Sequence, residues 1–107
     1  MDIRQKKVPF EFDGKSFELT CNMNVLADVQ EAYGGEIASA LSGTSTLKSL
    51  LTFLTAMLND YADERGWEWY TVRGVGRKLN PKSMGATLNT VMELVADAVK
   101  SEDEEKN

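Results

Sequence analysis

The chain contains no histidine. That removes the commonest general base and the commonest metal ligand. It also rules out any Ser–His or Cys–His nucleophile. There is a single cysteine, Cys21, so no disulfide can form within the chain, which suits a reducing compartment. No apolar run approaches the ~18 residues a membrane span needs. The first residues, Met1 to Lys7, are charged and lead into no signal-peptide apolar block. These features predict a cytoplasmic protein without a membrane partner. Proline is scarce, with only Pro9 and Pro81.

What is present suits one ordinary domain. The 107 residues are 42% hydrophobic and 27% charged, enough for a single core without staples. Net charge is −5, of which residues 102–107 supply −3 through four acids and one lysine. The remaining body is nearly neutral, unlike the dense basic surface of a duplex DNA binder. The expected division is a single domain over residues 1–100 and an acidic, disordered tail over 101–107.

Val8 to Thr20 reads as a β-hairpin. Asp13-Gly14 is a two-residue turn signal. It pairs Phe12 with Lys15, Phe10 with Phe17 and Val8 with Leu19, so both strands put their apolar residues on one face. Pro9, with no amide proton, suits an edge strand. Asn22 and Asn24 are N-cap residues for a helix carrying Met23, Leu26, Val29 and Tyr33, which Gly34-Gly35 ends. Glu36 to Leu41 predicts a further helical turn or two. Thr44 or Ser45 then caps an amphipathic helix with Leu47, Leu50, Leu51, Leu54, Leu58 and Tyr61 on one stripe, closed by Gly66. Trp67 to Thr71 fits a short strand or a helix entry, and a short helix follows over Val72–Leu79 despite Gly74 and Gly76. Asn80-Pro81 restarts a long last helix, with Met84, Leu88, Val91, Val95 and Val99 on one face. The expected fold is α+β: a mostly helical single domain with an N-terminal hairpin packed on about four helices, chiefly those over Leu47–Tyr61 and Met84–Val99.

Several residue groups carry candidate chemistry. Cys21, in phase with Phe17 and Leu19, reads as a buried structural cysteine. Asp60, Asp63 and Glu64 are dense enough to hold a hard cation, but read better as a solvated helix face. Gly43 to Ser49 lacks the Gly-Lys-Ser/Thr ending of a phosphate loop. Arg73, Arg77 and Lys78 beside Trp67, Trp69 and Tyr70 could stack and hold single-stranded nucleic acid, which the acidic total disfavours. Trp67, Trp69, Tyr70 and Arg73 also match the aromatic-plus-arginine composition of protein–protein hot spots. Core packing of the same aromatics is the alternative. Nothing in the sequence requires a cofactor or a metal, and no catalytic residue can be assigned.

The order of elements resembles one protein family. A short hairpin, Phe10-Glu-Phe-Asp-Gly-Lys-Ser-Phe-Glu-Leu, leads into Met23-Asn-Val-Leu-Ala-Asp-Val-Gln-Glu-Ala-Tyr-Gly-Gly. A leucine-rich helix, a final helix and a charged end follow. Over roughly residues 8 to 100 this is similar to the tail assembly chaperones of long-tailed bacteriophages and the related small proteins of gene transfer agents. The resemblance implies a non-enzymatic protein that covers the tape-measure protein and recruits tail-tube subunits. It transfers no catalytic residues. A structural tail or tail-tube-associated subunit and a small nucleic-acid-binding regulatory module are the alternatives. Homo-oligomerisation is left open. The expected partner groove lies between the Leu47–Tyr61 and Met84–Val99 helices.

Overall fold

The computed structural model describes residues 6–35, 38 and 46–105, with side chains of the last helix described as far as 99. The expected helical turn over Glu36 to Leu41 and the side chains of the acidic tail lie outside the described residues.

Strands β1 (Val8–Phe12) and β2 (Lys15–Leu19) form a two-stranded antiparallel sheet. Its register is the one the turn demands: Val8 faces Leu19, Phe10 faces Phe17 and Phe12 faces Lys15. Asp13 and Gly14 both have positive φ, 56° and 71°, as the mirror-image hairpin turn requires. Phe12, Phe17 and Leu19 are buried, whereas Glu11, Ser16 and Glu18 are exposed.

Helix α1 (Met23–Ala32) begins at Asn22, whose side-chain oxygen accepts from the Val25 amide at 3.0 Å. Its amide group also donates to Asp60 at 2.7 Å, joining α1 to the next helix. Helix α2 (Leu47–Arg65) is capped by Thr46, which accepts from the Ser49 amide at 3.2 Å. This corrects the expectation of Thr44 or Ser45. Leu47 is already helical, so only the hydroxyl immediately before it reaches the orphan amide of the first turn. The Tyr33 and Ser49 hydroxyls hydrogen-bond to each other, tying the end of α1 to the start of α2.

Helix α2 is the centre of the molecule. Every residue from Thr52 to Asn59 is buried, polar ones included. The sequence spacing predicts one apolar stripe on it, widened by Phe53 and Met57. Residues 49–59 carry no charge, and such a helix is covered on all sides. Thr52 and Thr55 donate their hydroxyls to the carbonyls of Lys48 and Leu51, both at 2.8 Å, so their burial leaves no polar atom unpaired. Around α2 pack α1, strand β2, helix α3 (Val72–Lys78) and helix α4 (Met84–Glu105), the last preceded by a 3-10 turn over Pro81–Ser83. The order is thus α+β, with one core shared by all elements.

Two expectations about packing change. The hairpin was expected to rest on both α2 and α4. It rests on α2 through β2, while an open cleft of about 340 Å³ lies between Pro9–Asp13 and the segment from Lys78 to Thr87. Helices α2 and α4, expected to line a partner groove, pack on each other and bury Leu54, Leu58, Val91, Leu94 and Val95 in the common core. Among the described residues these apolar side chains are thus used by the core. Among the described residues no helix is long and apolar enough to cross a membrane.

Candidate functional site

Helix α2 ends at Gly66, which adopts φ 73°. The amide of Trp67 then donates to the carbonyl of Ala62 at 2.9 Å, a six-to-one bond that closes the helix. The hydrophobic contact that accompanies this stop is Trp67 against Tyr61, edge to face at 6.0 Å. Trp67 also meets Phe17 edge-on at 5.5 Å, and Arg65 lies over the Tyr61 ring at 3.9 Å. Trp67 is therefore part of the helix stop and the hairpin's packing.

Residues 67–70 belong to no helix and no paired strand. Asn59 fixes them. Its side-chain oxygen accepts from the Tyr70 amide at 2.7 Å, and its amide group donates to the Tyr70 carbonyl at 3.0 Å. One buried carboxamide thus replaces the missing neighbour strand. The Tyr70 ring packs edge-on against Phe12 at 5.4 Å, and its hydroxyl donates to Asp13 at 2.9 Å. Lys78 approaches the other oxygen of Asp13 at 3.3 Å. Together these contacts hold the Asp13 carboxyl below the usual carboxylate range, with the Tyr70 bond the largest cause.

The four residues expected to form one contact patch are therefore divided. Trp67 and Tyr70 are half-buried and packed against the hairpin. Arg73 is exposed on α3. Trp69 is exposed by 56% and belongs to no part of the core. Trp67 and Tyr70 are both held against the hairpin, and Trp69 between them is left facing out. The cations expected to serve nucleic acid are also partly spent, since Lys78 is paired with Asp13.

Trp69 stands at the edge of a cleft of about 310 Å³ lined by α1, α2 and Val72. Its floor is made by Thr52, Thr55, Ala56 and Asn59 of α2. The polar atoms there are already bonded within the chain, as given above, so the floor offers a binding partner mainly carbon. Asp28, Glu31 and Ala32 of α1 form the opposite wall. Burial raises the Asp28 carboxyl above its ordinary value, and the nearby charges of Glu31, Asp60 and Asp63 add to it. The site is an apolar slot with one large aromatic at its mouth and two carboxylates on its rim.

Sequence reading missed Asn59, Thr52, Thr55 and Asp28. The available signal was the uncharged run over residues 49–59, which marks the back of α2 as covered. The Asp60, Asp63 and Glu64 group has a structural use instead: Asp60 accepts from Asn22 at 2.7 Å and from Asn24 at 3.4 Å. Among the described residues no three His, Cys, Asp or Glu side chains stand together as a metal site. Helix α3 forms where expected, starting from Thr71, whose hydroxyl accepts from Gly74 at 3.0 Å. A β-carbon on Gly74 would meet that same oxygen at 3.0 Å, so glycine leaves room for the cap. Comparison with protein-family models, with curated proteins and with solved structures finds no match to this chain.

Proposed function

We propose that this chain is a non-enzymatic binding module of the bacterial cytoplasm. In this reading it serves the assembly of long phage tails, covering the tape-measure protein and bringing tail-tube subunits to it. The element order over residues 8 to 100 supports the family. The single observation that carries the binding role is Trp69, exposed by 56% at the mouth of a carbon-floored slot. Exposed tryptophans beside a preformed cleft are the usual anchors of protein interfaces. The acidic rim of Asp28 and Glu31 favours a partner helix with an aliphatic stripe and basic flanks. A long tape-measure helix needs such a cover, because a bare apolar stripe aggregates. Many weak copies along one helix hold it firmly.

The test is capture of the tape-measure protein by wild type and Trp69→Ala. Trp69 lies outside the core, so the variant should keep the wild-type circular dichroism and melting temperature. Its affinity is expected to fall by about 30-fold, the ~2 kcal/mol of an interface hot spot. Unchanged capture by the folded variant removes the slot from this reading. Mass spectrometry of mature particles tests the role itself. A chaperone is absent from them, and its presence at stoichiometric levels would favour the structural-subunit alternative.

A further inference from the structure

Helix α4 has a second apolar face that its own core does not use. Val91, Leu94 and Val95 point into the domain. Roughly a third of a turn away, at 3.6 residues per turn, Met92 and Val99 are exposed by 43% and 47%. Exposed Ala96, Asn89 and Gly85 continue the same line. The spacing of 85, 89, 92, 96 and 99 alternates four and three, the repeat of a helix that packs lengthwise on another helix. None of these residues lines the Trp69 slot.

Charge along this end of the chain selects the occupant. Residues 73–82 hold four cations, Arg73, Arg77, Lys78 and Lys82, and no carboxylate. Residues 83–92 are uncharged, and residues 93–105 hold six carboxylates against Lys100. The acidic run sits at the C-terminal end of α4, where it opposes that helix's own dipole. We propose that the Gly85–Val99 face of α4 is the interface of an antiparallel dimer, with a second copy of this chain as its occupant.

A twofold axis at Met92 accounts for both patterns. It sets Met92 against its own copy and Val99 against Gly85, with Ala96 within one residue's rise, about 1.5 Å, of Asn89. By the same register Lys82, in the turn that leads into α4, is level with Glu102 of the other copy, so each acidic end lies over the other copy's Lys82. The dipole conflict within one chain is thereby relieved between two. Glu93, the carboxylate next to the axis, already has Lys6 at 3.9 Å, which limits repulsion across it. A parallel pair would instead stack acid on acid and base on base.

Sedimentation velocity of the full chain from low micromolar to millimolar concentration is expected to show a monomer–dimer equilibrium that weakens with salt. Met92→Glu places two carboxylates at the axis and should raise the dissociation constant about tenfold or more, with no loss of melting temperature in the monomer. Lys82→Glu and Glu102→Lys should each weaken the dimer, and the double exchange should restore it. A short bifunctional maleimide should join Met92→Cys chains but not Val99→Cys chains, whose thiols lie about 21 Å apart along the antiparallel pair. A monomer throughout the concentration range overturns the proposal. So does equal crosslinking at 92 and 99, or a double exchange that is weaker than either single change.

Discussion

Replacing Asn59 with alanine tests how the slot is held in shape. The carboxamide satisfies both backbone groups of Tyr70, at 2.7 and 3.0 Å, and is itself only 6% exposed. Its removal leaves one N–H and one C=O unpaired beside the core. Each costs roughly 1–3 kcal/mol when fully buried. Tyr70 is half-buried, so water recovers part of this, and a net loss of about 2–4 kcal/mol is expected. Against a total of about 5–15 kcal/mol for a chain this size, that is a large share. It corresponds to a melting temperature lower by about 8–16 °C. Asn59→Asp sharpens the test through its sign. The ionised carboxylate accepts from the Tyr70 amide but repels the Tyr70 carbonyl, whereas the protonated acid can serve both. The folded state therefore raises the pKa of that acid above its unfolded value. The Asp variant should lose stability as pH rises through the folded pKa, and its deficit relative to wild type should shrink on acidification. Thermal melts of the three proteins from pH 4 to 8 decide the matter. A loss below about 0.5 kcal/mol for Asn59→Ala, the size of an ordinary surface change, would refute the reasoning. A pH-independent deficit for Asn59→Asp would refute it equally.

Tyr70→Phe should lower stability most at neutral pH. The Asp13 carboxyl is held below its usual range chiefly by the Tyr70 hydroxyl and then by Lys78. A depressed folded pKa gives stability that is complete above the unfolded value and lost as pH falls through the folded one. The melting-temperature gap between wild type and Tyr70→Phe should therefore close on acidification, and a gap that widens would contradict the assignment. Cys21 is buried and its thiol is pushed up to about 11 by that burial. Labelling by a thiol reagent at pH 8 should be about 100-fold or more slower in the native protein than in denaturant, limited by transient opening. Fast native labelling would show the β2–α1 junction to be open.

Much of the fold is legible because the signals are local. Asp13-Gly14 permits one hairpin register, and the alternation of both strands agrees with it. Asn22, Thr71 and Asn80 sit where an oxygen can reach the first free amide of a helix. Gly66 followed by Trp67 spells a helix stop, while the composition of Trp67, Trp69, Tyr70 and Arg73 fits a contact patch and core packing alike. That ambiguity has a physical cause. A half-buried tryptophan that closes a helix and an exposed one that awaits a partner have the same composition, and they are separated here by only two residues.

The sequence by itself determined the hairpin, the starts of α1 and α3, the stop at Gly66 and the α+β class, since each depends on contacts within a few residues along the chain. The tertiary structure alone decided that α2 is buried on its polar side as well, that α2 and α4 close on each other, and that Trp69 faces out. Those outcomes rest on contacts distant in the chain, Leu54 and Leu58 sharing a core with Val91 and Val95, and Asn59 meeting Tyr70 and Tyr70 meeting Asp13, the last two pairs separated by 11 and 57 residues. No local preference encodes such contacts. They form only when the packed core brings those groups within hydrogen-bonding reach.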